Sequence, residues 1–178
     1  MGQPARPAAE GCHHPLPQLL LGLLGLGASR LHGRALAGPD LGRQHPPLVA
    51  GLRVDGMVAP LVIDHLMNGV TFRAYVEQHL APTLSPGDIV VCDNLQCHKS
   101  PGVRAAIEAR GAELRNLPPY SPDMNPIEQV FAKLKNLIRA AAPRDIETLW
   151  NSIGEGLAAF APTECANYLA NSGYPRMM

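Results

Sequence analysis

Two carboxylates, Asp93 and Glu128, stand with 34 residues between them in settings that suit an acid with a chemical task. Asp93 lies near the end of "GDIVVCDN" (Gly87–Asn94), a short continuous apolar run bounded by turn residues. Such a run reads as a strand buried on both faces, and the carboxyl ends of strands are where open α/β sheets form ligand sites. Asp93-Asn94 also suits a simple turn or cap. Glu128 ends "PPYSPDMNPIE" (Pro118–Glu128), which sets four prolines before one glutamate. With Asn125 as N-cap, Pro126 at the first helical position and Glu128 at the third, the segment matches a capping box. Helical spacing supports a second role. At about 100° per residue, Ile127, Val130, Phe131, Leu134, Leu137 and Ile138 form one apolar stripe, and Glu128 falls beside it on the flank of Lys135 and Arg139. An acid at a helix start with two cations along the same side suits a divalent metal next to a polyanion. Four fixed φ angles in the preceding loop would aim that helix start, bringing Asp93 and Glu128 within reach of a common ion.

The elements needed to position these acids follow from the surrounding pattern. "LRVDGMVAPLVID" (Leu52–Asp64) gives two strand-like runs around Asp55-Gly56, a hairpin signal. "NGVTFRAYVEQHLAPTL" predicts a helix, with Phe72, Tyr75, Val76 and Leu80 near helical spacing and Pro82 close to its end. "SPGVRAAIEARGAELRNLPPY" predicts a helix, a stop at Gly111 and a strand around Glu113–Leu117. A long helix follows Pro126, with two more near Ile146–Phe160 and Thr163–Asn171. Hairpin, helix, strand, helix, strand, helix is an α/β arrangement.

Composition divides the 178-residue chain near residue 49. Residues 1–48 hold eight Gly and seven Pro but no Val, Ile, Phe, Tyr, Trp or Lys. A stretch without β-branched aliphatic or aromatic residues is poorly equipped to build a strand or core. It reads either as a flexible leader or as an out-of-frame stretch joined to a real domain, giving two regions, 1–48 non-globular and 49–178 globular. The apolar run "LLLGLLGLGA" (Leu19–Ala28) is too short to span a bilayer. Four cysteines without a C-x-x-C pair read as free thiols of a reducing cytoplasm. The formal charge is zero, so no global field points to nucleic acid. Locally, Asp93 to Arg144 carries eight Lys/Arg against five Asp/Glu, a mild basic excess compatible with DNA or with a solvated face.

"VVCDNLQCHKS" and "LPPYSPDMNPIEQVFAKLK", at their observed separation, resemble the transposases of bacterial insertion sequences related to the mariner group. The resemblance covers roughly Ala50 to Tyr174. It implies an RNase H-like mixed sheet flanked by helices, a triad of two Asp and one Glu acting with Mg²⁺ or Mn²⁺, and DNA strand cleavage and transfer at transposon ends. By this resemblance Asp93 and Glu128 are the second and third triad acids and metal ligands, and Lys99, Lys135 and Arg139 are cations facing DNA. A homodimer is a further expectation, and a membrane partner is not.

The family's first acid lies on the strand preceding the hairpin, and no acid here fits it. Glu10 ("AAEGC") and Asp40 ("GPDLG") are not in strand-like runs, Asp55 is at the hairpin turn, and Asp64 follows the next strand. The expectation is therefore a sheet missing its first, central strand, with two strand edges unpaired, in a truncated or frameshifted catalytic domain that does not cut DNA. The run Leu19–Ala28 is the one candidate to fill the gap, but Gly interrupts strands and the run carries no acid. Two alternatives stand beside it. One is a non-catalytic DNA-binding or dimerising regulator of an intact transposase; the other is an active nuclease with Asp55 or Asp64 as surrogate acid. His98 follows Asp93 as in the family, while Cys92, Cys97 and His98, or the "GCHH" of Gly11–His14, lack the partners a zinc site requires.

Overall fold

A computed structural model describes residues 18–25, 47–63, 67–119 and 121–174. Its centre is one five-stranded sheet: β1 (Gln18–Gly25), β2 (Pro47–Arg53), β3 (Gly56–Val62), β4 (Ile89–Cys92) and β5 (Glu113–Asn116), in the spatial order β3-β2-β1-β4-β5. The first three strands are antiparallel, while β4 and β5 run parallel to β1 and to each other. The mixed α/β sheet is the expected one. The expected gap in it is not found.

The central place is filled by Gln18–Gly25, from within the stretch whose composition argued against any strand. β1 pairs with β2 from Leu20↔Leu52 to Gly25↔Pro47, and with β4 from Gln18↔Ile89 to Leu21↔Cys92. The physical reason is non-local. β2 and β4 would otherwise present rows of unpaired backbone donors and acceptors at the middle of the sheet, which is costly. Any apolar extended segment can pair with them through its main chain. A central strand needs apolar side chains more than β-branched ones, because propensity largely reports packing context. Residues 1–17 and 26–46, with Glu10, Cys12, "GCHH" and Asp40, lie outside the described residues, as does Asp64.

Each face of the sheet carries its own core. One face packs Leu48, Ala50, Leu52, Ile89 and Val91 under α3 (Ile127–Ala141), α4 (Ile146–Ala158) and α5 (Pro162–Asn171). The other packs Leu19, Val49, Val90, Cys92 and Leu114 under α1 (Gly69–Tyr75) and α2 (Pro101–Glu108). β4 thus alternates strictly between the two cores, as a doubly buried strand must. α1 is capped by Asn68, whose side chain accepts from the Val70 and Thr71 amides, and it runs on into a π-helical turn, Val76–Leu80. The Gly111 stop after α2 has φ +74°, where a Cβ would meet Pro86 at 3.1 Å.

Candidate active site

Asp93 is placed one residue beyond β4, and Glu128 in the first turn of α3. Together with Asn94, Leu95, Leu117, Pro118, Pro119, Ser121 and Asn125 they line one open cleft of about 430 Å³. The proline-rich loop forms part of the wall of this cleft through Pro118, Pro119, Ser121 and Asn125. Leu117 enters it buried, its amide donating to the Cys92 carbonyl at 2.8 Å, and Tyr174 braces its far end by donating to the Met124 carbonyl at 3.0 Å.

The capping box is not formed. α3 begins with Pro126 as its cap in helical conformation, and no side chain caps the end. Asn125 is buried at 4 % exposure and contributes its backbone carbonyl, which accepts from the Glu128 amide at 3.1 Å. Released from capping, the Glu128 carboxylate belongs to the cleft. Crowding by the surrounding protein raises its pKa; the Lys135 ammonium opposes that rise, and the negative charge of Asp93 adds to it.

Asp93 is set by contacts on one oxygen. Its Oδ1 accepts from the Leu95 amide at 3.1 Å and lies 2.6 Å from His98 Nδ1. Burial alone would raise the Asp93 pKa, but the imidazole and that amide more than offset it, so the carboxyl stays below the ordinary aspartate value. His98 is fully buried, its ring 4.2 Å from that of Phe72 on α1, and neither ring nitrogen has a well-directed hydrogen bond. The usable signal was a histidine five residues after the acid, inside a short 3₁₀ turn (Gln96–Lys99) that returns it beneath Asp93.

Lys135 is on the Glu128 flank of α3, one heptad further on, and Arg139 is four residues beyond, its Nη1 donating to Asn136 Oδ1 at 3.1 Å. Lys99 is exposed at the end of the 3₁₀ turn after Asp93. Asp55 is at the wrong end of the sheet to join the two acids. Two residues before it, Arg53 pairs with Asp88 just before β4, whereas Asp93 follows that strand's other end, and four strand residues span about 13 Å. Among the described residues no group of three or more His, Cys, Asp or Glu side chains converges to hold a metal ion. Two carboxylates do not make the donor set of a bridged pair of divalent ions. Among the described residues, no helix is long and apolar enough to cross a membrane.

A mixed sheet in this order, with an acid after the fourth strand and another opening a helix on the same face, is an RNase H-like nuclease fold. Residues 41–150 match the family model of the DDE superfamily endonuclease, and the chain belongs to that family. Its structure is similar to the catalytic domain of Mos1 mariner transposase (TM-score 0.63, 14 % identity, 87 % of this chain and 74 % of that one). Similar values hold for that catalytic domain with raltegravir and Mg (TM-score 0.63, 14 % identity, 89 % and 84 %). The Mos1 paired-end complex with the left transposon end gives TM-score 0.61 at 14 % identity, over 88 % of this chain and 56 % of the Mos1 chain. The chain thus spans little more than half the length of that transposase. No curated protein matches it.

Proposed function

We propose that this chain is a DDE transposase catalytic domain that keeps two of its three acids, Asp93 and Glu128, and does not cut or join DNA. The observation that carries this reading is the shared cleft. Both acids face it, their charges act on one another, and among the described residues no third acid accompanies them. Mos1 has been solved with Mg, and Asp93 and Glu128 are the residues that would approach a divalent ion here. The ion pair such chemistry uses needs a bridging carboxylate, and none of the described residues supplies one in this cleft.

The expected result in a strand-cleavage assay with Mg²⁺ or Mn²⁺, on duplex DNA carrying transposon ends, is no metal-dependent product. Metal-dependent cleavage that disappears in Asp93→Ala would overturn the inactive reading. Loss of that cleavage in Asp64→Ala as well, with Asp55→Ala unaffected, would identify Asp64 as the surrogate acid.

DNA binding without cleavage fits the cations along α3 and beside Asp93. Lys99, Lys135 and Arg139 would meet phosphates, which carry no sequence information. With three phosphate contacts the slope of log K against log[salt] is about −2.7, so affinity for any duplex should fall about forty-fold between 50 and 200 mM salt. Binding measured by fluorescence anisotropy on two unrelated duplexes checks this; an affinity that hardly changes with salt, or that differs widely between the duplexes, would contradict it.

A further inference from the structure

Strand register singles out one position for the missing donor. β1 sets Leu21 beside Cys92, so the next residue, Gly22, comes level with Asp93. β1 also sets Gly22 opposite Ala50 of β2, and directly paired residues share a face of the sheet. Ala50 is buried in the core with Ile127 and Phe131 of α3, the face on which Glu128 opens its helix. Alternation along β1 agrees: Leu19 lies in the opposite core, and a residue three further on belongs to the other face. The central-strand residue beside Asp93, on the Glu128 side, therefore has no side chain at all.

Neighbouring strands are about 4.8 Å apart. A carboxylate at position 22 would thus stand within the span of one hard cation from Asp93, given metal–oxygen distances of about 2.1 Å for Mg²⁺. Resting on the two-acid reading above, we propose that Gly22 is the single lesion in this site. The remaining fold still holds the cradle for a divalent, oxygen-seeking cation, and Gly22→Asp alone rebuilds it. The position was hidden in the sequence because nothing in "QLLLGLLG" says which residue meets Asp93. Only the pairing of β1 with β4 does.

The test is Mn²⁺ titration of the full chain, followed by electron paramagnetic resonance of the free ion, for wild type, Gly22→Asn, Gly22→Asp and Gly22→Asp/Asp93→Asn. Gly22→Asp should bind Mn²⁺ at least about ten-fold more tightly than Gly22→Asn, with wild type like the latter and the gain lost in the double variant. A folded Gly22→Asp chain that binds no better than Gly22→Asn overturns the proposal. So does a wild type that already binds as tightly as Gly22→Asp. Should the added charge prevent folding without metal, Gly22→Cys supplies an uncharged substitute whose thiolate would take Cd²⁺. The expected sign is a Cd²⁺–thiolate charge-transfer band that Asp93→Asn removes; no such band in a folded chain overturns the proposal equally. DNA cleavage by wild type would instead refute the underlying two-acid reading, and it is read in a separate assay.

Discussion

Leu19→Asp should leave the chain unfolded, although Leu19 lies in the compositionally odd N-terminal stretch. Leu19 is completely buried. It belongs to the core of Val49, Phe72, Tyr75 and Val90, and its Cδ1 fills the space over Gly51, only 2.7 Å from where a Cβ there would sit. Truncating a buried leucine costs about 3–5 kcal/mol in lost transfer and cavity terms. An unpaired carboxyl in that place adds the cost of burying a polar group without a partner, at least about 1–3 kcal/mol. The sum reaches or exceeds the lower part of the 5–15 kcal/mol that holds a typical domain together. Leu19→Met keeps the volume and should cost less than about 1.5 kcal/mol. Circular dichroism melting and tryptic digestion distinguish the outcomes: Leu19→Asp should lose the cooperative transition and digest throughout, Leu19→Met should keep it. A Leu19→Asp chain that melts like wild type would show that β1 does not occupy the sheet.

That strand marks the boundary of what the sequence could reveal. β4 was legible because four consecutive apolar residues between turn signals have few other fates. α3 was legible because its stripe from Ile127 to Ile138 repeats at helical spacing, and the β2–β3 hairpin because Asp55-Gly56 fits a tight turn. Each is a local signal. β1 carries only a weak one: its apolar run could be named as a filler of the gap, but its glycines and lack of an acid argued against it, and its place is decided by the open edges of β2 and β4. The site divides the same way. Asp93 and Glu128 could be paired in advance through the resemblance of their motifs. The burial of His98 against Phe72 depends on α1, more than twenty residues upstream. The capping box failed because Asn125 is drawn into the interior, leaving its side chain off the helix end and Glu128 free for the cleft.

Asp88→Asn should destabilise the chain by about 3 kcal/mol at neutral pH, with the loss shrinking in acid. Asp88 is 1 % exposed, and its Oδ2 meets Arg53 Nη2 at 2.5 Å while also accepting the Ser85 amide at 3.0 Å. The second guanidinium nitrogen, Nη1, donates to Oδ1 at 3.3 Å. This clamp ties the end of β2 to the residue just before β4, the strand that delivers Asp93. Removing one partner of a buried pair costs about 3–5 kcal/mol, because the other charge is left without compensation. Arg53 keeps 16 % exposure and the Thr83 carbonyl at 3.2 Å, which favours the lower end of that range. The pH dependence has a definite sign. Burial by itself would raise the Asp88 pKa, but the Arg53 hydrogen bond, the Ser85 amide and the Arg53 charge outweigh it and hold the carboxyl below its ordinary value. A depressed folded-state pKa contributes stability that is complete above the unfolded value of about 3.9 and is lost as pH falls through the folded value. Wild type and Asp88→Asn should therefore differ fully at pH 7 and converge below about pH 4. Replacing both partners, as Arg53→Met/Asp88→Leu, should restore much of the neutral-pH stability, since an apolar pair of similar volume often matches a buried ion pair. Urea denaturation across pH 3–7 measures all three. A gap between wild type and Asp88→Asn that stays constant with pH would show that shape, not charge, is what Asp88 contributes just before β4.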